Sequence, residues 1–175
     1  LMVPFAINQE VKFEKGFGPK LGDLNLNIIK QTTETEFTNK LSPVYNSIKQ
    51  ISQSSLLSDK DLIGFAGAPW TTLVYMINKM SPKKGLPENF FSDSNLINDL
   101  LNVIEKFIKL HIKNQINAGA NIIQIFDSWA GLLENKIDEY IYHPTLNIVD
   151  YVKELGVPII CFPRGIRNYK KYCEI

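Results

Sequence analysis

Three apolar runs, residues 62–65, 122–126 and 158–162, decide most of what this chain can fold into. Each is short, nearly continuous in apolar character, and followed by residues that suit a helix. Strands of that kind are expected where both faces are covered, and repeated strand–helix units build a parallel sheet inside helices. Pro69 suits the first turn of a helix running to about Asn78, where its missing N–H costs nothing. Asp93 or Ser94 can cap a long helix whose stripe is Leu96, Ile97, Leu100, Leu101, Ile104, Phe107, Ile108 and Ile112, close to the i, i+3, i+4, i+7 rule. Ala118-Gly119-Ala120 stops it. A further helical stretch after residue 126 is expected to break near His143-Pro144. It offers Leu146, Val149, Val152 and Leu155 to the core and ends at Gly156.

The first sixty residues are less regular. Val11-Lys12-Phe13 reads as a strand, with a turn at Gly16, Gly18 and Pro19, and Ser42-Pro43 starts a helix carrying Val44, Ile48 and Ile51. At 175 residues the expected organisation is a single domain, residues 1–175. A (β/α)8 barrel and an open doubly wound sheet both fit the alternation.

Functional groups on a parallel α/β fold gather at the C-terminal ends of its strands. The first strand leads into Gly64-Phe65-Ala66-Gly67-Ala68-Pro69-Trp70-Thr71, where the backbone must pass close to something. In one reading the turn faces a ligand, and the free amides of Gly67 and Ala68 point outward with the positive end of the helix dipole. In the other, the helix simply packs closely on the strand. The second strand leads to Asp127-Ser128-Trp129, and the third to the loop at 161–167. One pocket built from three loops is expected. Asp127 and Ser128 could instead cap the next helix. Phe65 could be a pocket wall or plain core, and Tyr75 a core-edge residue with its hydroxyl at the surface.

Only two of the nineteen Lys and Arg side chains are arginine, and both, Arg164 and Arg167, lie in that third loop. A planar fork suits a carboxylate partner; a solvated pair is the alternative. The net charge of +1 gives no general attraction to nucleic acid or to anionic membranes, and no membrane or nucleic-acid partner is expected. Cys161 and Cys173 read as reduced and structural, and His111 and His143 as structural. Nothing in the motifs requires a metal, a nucleotide or another cofactor.

Four segments, in order, resemble the uroporphyrinogen decarboxylase family. They are Val11-Lys12-Phe13 through Lys15-Gly16-Phe17-Gly18-Pro19, then Gly64-Phe65-Ala66-Gly67-Ala68-Pro69-Trp70-Thr71 with Val74-Tyr75-Met76-Ile77. The others are Ile122-Ile123-Gln124-Ile125-Phe126-Asp127-Ser128-Trp129-Ala130-Gly131 and Phe162-Pro163-Arg164-Gly165. The resemblance implies a (β/α)8 TIM barrel, parallel strands with outer helices, here partial and truncated at both ends, since a full barrel takes about 250 residues. It implies cofactor-free decarboxylation of the four acetate side chains of a tetrapyrrole, uroporphyrinogen III, in the cytoplasm by a homodimer. Carried over residue by residue, Tyr75 matches a tyrosine that reaches a substrate carboxylate and Ser128 a serine that hydrogen-bonds the substrate. Phe65, Gly67, Ala68 and Arg164 are further substrate-binding candidates, and Asp127 matches a position where some relatives carry Glu.

The family's central aspartate, its Arg-Gln-Ala-Gly-Arg motif and its Gly-His-Gly histidine have no counterpart in this sequence. The segment is therefore expected to be an internal piece of a longer enzyme and inactive alone, with no certain catalytic residue inside it. Two other readings stand beside this one. A corrinoid- and zinc-dependent methyltransferase of the same superfamily would need a His two residues before Cys161, where Ile159 stands. A non-catalytic tetrapyrrole-binding relic is the other.

Overall fold

A computed structural model describes residues 1–16, 18–83 and 85–175 of the chain; Phe17, within the first family-like segment, and Lys84, within the 81–87 loop, lie outside the described residues. The chain opens with α1 (Met2–Ala6) and an antiparallel hairpin of β1 (Val11–Glu14) and β2 (Gly18–Leu21). Three helices follow, α2 (Leu26–Gln31), α3 (Glu34–Lys40) and α4 (Ser42–Ser52). Then come β3 (Ile63–Gly67), α5 (Pro69–Asn78), α6 (Ser94–Asn117) and β4 (Ile122–Asp127). A π-helical turn over Asp138–Tyr142 leads into α7 (His143–Glu154), followed by β5 (Ile159–Pro163) and α8 (Tyr169–Cys173).

The three apolar runs become the parallel sheet β3-β4-β5, in sequence order, with Phe65 opposite Gln124 and Ile125 opposite Cys161. The fold is α/β, as the alternation implies. Asp93 caps α6, its carboxylate accepting the Leu96 N–H at 2.9 Å, and the stripe lands inward: Ile97, Leu100, Leu101, Ile104, Phe107, Ile108 and Ile112 are all buried. Each such aliphatic side chain contributes about 1.5–3 kcal/mol when fully buried, so this one helix face anchors the whole layer. Gln115 on the same face does a different job. Its side-chain amide donates to the Phe65 carbonyl and accepts the Phe65 N–H, both at 3.0 Å, satisfying the outer edge of β3 that no strand covers among the described residues.

Several expectations are corrected. The strands are not covered on both faces. Ala66, Ile123, Ile125 and Asp127 are buried under α5, α6 and α7, whereas Phe65 and Phe162 on the other face are 60% and 50% exposed. All three helices pack on one side of the sheet, so among the described residues its second face stands bare, with Phe65, Phe126 and Phe162 in edge-to-face contact along it. The helix does not break at His143-Pro144; Pro144 occupies the first turn of α7, and the π turn before it runs straight in. Leu146 faces out, its expected place taken by Thr145 and Ile148. In α4 the buried residue is Tyr45, while Ile51 is exposed. The second strand of the hairpin carries no alternation of its own and is made by its pairing, Val11 opposite Leu21 and Glu14 opposite Gly18.

Candidate functional site

Because β3, β4 and β5 are neighbours in register, the loops at their C-terminal ends are tied together by backbone hydrogen bonds. The Ala68 N–H donates to Phe126 O at 2.9 Å, the Arg164 N–H to Asp127 O at 3.0 Å, and the Gly131 N–H to Arg164 O at 3.0 Å. Gly131 and Gly165 meet backbone to backbone: a Cβ at 131 would lie 2.6 Å from Gly165 O, so only glycine permits that approach. The three segments singled out in the sequence thus form one rim.

Within this rim the glycine turn is a packing device. A Cβ on Gly67 would come within 3.1 Å of Thr72 Oγ1, and one on Gly64 within 3.0 Å of the Ala120 methyl. The amide of Ala68 is not free to face a ligand; it is spent on Phe126, and the Ala68 side chain is fully buried. The helix-on-strand reading accounts for these residues.

Tyr75 meets the loop that carries Ser128. Tyr75 lies on α5 with its ring 6.0 Å from that of Trp129, edge to face, so it abuts the residue next to Ser128. Its hydroxyl is 3.2 Å from Ser81 Oγ. Ser81 in turn lines a cavity of ≈ 480 Å³ with Lys20, Asn78, Met80, Pro82, Lys83 and Gly85, within the size range of small-molecule sites. The Ser128 side chain is half-buried. Phe65 lies on the bare sheet face and Arg164 points to solvent, neither lining that cavity. Among the described residues the two arginines share no partner: Arg167 stands 3.8 Å from Glu134, with both those side chains largely exposed.

Asp127 is the residue that sequence reasoning undervalued. It caps no following helix. Its side chain, fully buried, turns back to α5, where Oδ1 accepts the Thr71 hydroxyl at 2.6 Å. Thr71 Oγ1 accepts the Trp129 N–H at 3.0 Å. Oδ2 has no hydrogen-bond partner among the described residues. Burial pushes the Asp127 carboxyl up to about 7, against the opposing pull of the Thr71 hydroxyl and amide. An apolar run ending in Asp at a strand terminus was the available signal; the partner, Thr71, carried none.

Among the titratable groups elsewhere, burial drops His111 to about 4, and its Nδ1 is 3.0 Å from the Tyr45 hydroxyl. Cys161 and Cys173 are free thiols. Among the described residues no three His, Cys, Asp or Glu side chains sit close enough to hold a metal ion.

A family model described as Uroporphyrinogen decarboxylase (URO-D) matches residues 1–173. Among curated relatives, a uroporphyrinogen decarboxylase of Campylobacter jejuni subsp. jejuni serotype O:2 is 36% identical over 97% of this chain and 52% of its own length. One of Sulfurovum sp. (strain NBC37-1) is 37% identical over 95% and 50%, and one of Chelativorans sp. (strain BNC1) is 36% identical over 94% and 49%. The chain spans about half the length of the curated relatives it matches.

Proposed function

We propose, for a chain that belongs to the uroporphyrinogen decarboxylase family, that it forms part of an enzyme removing the acetate carboxyl groups of uroporphyrinogen III to give coproporphyrinogen III. The observation that carries this reading is the convergence at one rim of the three family-like strand ends, with Tyr75 and the Ser128 loop in contact. The methyltransferase alternative is not favoured, since the family match and the relatives' names are those of decarboxylases.

The chemistry needs little from this half of the protein beyond binding. Protonating an electron-rich pyrrole makes the ring an electron sink for the departing carboxyl group, so the substrate supplies what other decarboxylases take from a cofactor. The protein's part is to hold the side-chain carboxylates and developing charge in a water-poor cleft. Here Tyr75 and Ser128 donate hydroxyl hydrogen bonds to substrate, Phe65 offers a flat wall to the macrocycle, and Arg164 is a cationic partner at the rim. Gly67 and Ala68 serve by keeping α5 close to β3. The sequential order of the three parallel strands and the helices on one side support a segment of a (β/α)8 barrel, whose interior the bare face would line. A homodimer acting in the cytoplasm completes the proposal. No helix of the described residues is long and apolar enough to cross a membrane.

The test is to express the natural gene product that contains this chain and incubate it with uroporphyrinogen III. Oxidised products are then separated by carboxyl number. Stepwise loss to the four-carboxyl product is expected from that protein, and none from the 175-residue chain alone. If the gene product leaves the substrate intact while the Campylobacter relative consumes it in the same buffer, the proposal is wrong.

A further inference from the structure

Among the described residues Ser128 itself makes no hydrogen bond that would explain its place, yet both its neighbours are locked. On one side Asp127 is pinned by its carbonyl, which accepts the Arg164 N–H at 3.0 Å, and by its carboxyl on Thr71. On the other, Trp129 gives its N–H to Thr71 Oγ1 at 3.0 Å and receives the Trp70 indole N–H on its carbonyl at 2.9 Å. Thr71 is therefore both donor to Asp127 and acceptor from Trp129, and it straddles Ser128. It also stands four residues before Tyr75, one turn earlier along the same helix face.

We propose that Thr71 and Asp127 are positioning residues: the hydrogen-bonded chain Asp127–Thr71–Trp129 clamps the Ser128 loop to α5, so that the Ser128 and Tyr75 hydroxyls meet one substrate at a fixed separation. The inference rests on the reading of Tyr75 and Ser128 as substrate contacts. Its physical basis is that every link lies among buried or half-buried atoms, where water cannot replace a lost partner. A carboxyl pushed up to about 7 by burial can hold its place in the chain without a buried charge below neutral pH. The clamp also spans two separate strand–helix units, joining Thr71 to residues 56 and 58 positions further along.

The experiment uses the full gene product and uroporphyrinogen III, with four variants: Thr71→Val, Thr71→Ser, Ser128→Ala and the double variant Thr71→Val/Ser128→Ala. Valine keeps the shape and removes both bonds; serine keeps the hydroxyl. Hydrogen exchange of the Trp129 amide is followed in the substrate-free protein. The expected result is a loss in kcat/KM of about tenfold or more for Thr71→Val, with faster Trp129 exchange. Thr71→Ser should stay close to the parent in both. The double variant should be no worse than Ser128→Ala, because the clamp acts only through that residue. Parent-like turnover by Thr71→Val overturns the proposal, as does a Thr71→Ser loss equal to that of valine. Multiplying losses in the double variant overturn it too. An inactive parent refutes the decarboxylase reading and the clamp's purpose with it, whereas an active parent with an indifferent Thr71→Val refutes the clamp alone.

Discussion

Asp127→Asn should change how stability depends on pH, and the structure sets the sign and size of the change. In the fold the Asp127 carboxyl is pushed by burial from 3.8 up to about 7. Between those values the native state keeps a proton that the unfolded chain has lost. The stability this group adds is thus complete below about pH 4 and is lost as pH rises toward 7, at about 1.4 kcal/mol per pH unit or about 4 kcal/mol in all. His111 acts in the opposite direction. Burial lowers it from 6.5 to about 4, so the native state refuses a proton that the unfolded chain takes. Its contribution is complete above pH 6.5 and falls away on acidification, by about 3 kcal/mol at pH 4.

Over the shared window, roughly pH 4 to 6.5, the two slopes oppose each other in the parent. Asparagine keeps an oxygen for the Thr71 hydroxyl and cannot titrate, so Asp127→Asn should expose the His111 slope. Urea unfolding at a series of pH values, followed by the fluorescence of Trp70 and Trp129, measures this directly. The variant should lose stability relative to the parent steadily as pH falls from 7 to 4. Surface carboxylates held low by their partners, Asp23 by Lys79 and Glu36 by the Thr33 amide and hydroxyl, are common to both proteins and cancel in the difference. Parallel profiles for the two proteins from pH 4 to 7 would refute the reasoning, since Asp127 would then carry no proton of its own.

Gly131→Ala should lower the melting temperature, with a destabilisation of about 1–3 kcal/mol or more, because the new methyl meets the Gly165 backbone at 2.6 Å. An unchanged melting curve would mean that the two loops can part without loss. In the full gene product, Tyr75→Phe and Ser128→Ala should slow porphyrinogen turnover and leave the melting temperature within a degree or two of the parent; normal turnover in either removes that residue from the site. Arg164→Lys should leave stability unchanged, since the side chain points to solvent, and should raise KM; an unaltered KM removes Arg164 as well.

The elements that could be read from the sequence are those whose signals are local. Pro69 starts α5, Asp93 caps α6, and Gly156, with φ of +75°, ends the helix before β5. Thr33 and Glu36 form a capping box for α3 that the spacing alone would have revealed, since each accepts the other's N–H within four residues. Nothing local foretold β2, which exists because Val11, Lys12, Phe13 and Glu14 pair with it. Nor could composition tell a strand covered on both faces from one covered on a single face: apart from Gln124 and Asp127, β3, β4 and β5 carry no polar side chain on either, and only the placement of α5, α6 and α7 leaves Phe65 and Phe162 open.

At the site the division is the same. Residue types, their order and their closeness to the family pattern are properties of the chain as written, and they are enough to assign the family and to point to Tyr75 and Ser128. Which backbone amides are spent, which aspartate is buried and which threonine it finds were settled by tertiary structure. Ala68 loses its amide to a residue 58 positions away, and Asp127 meets Thr71 across 56. A hydrogen bond is decided within about 3 Å. Local preference extends over only a few residues, so contacts of this kind arise only once sheet register has brought distant segments together.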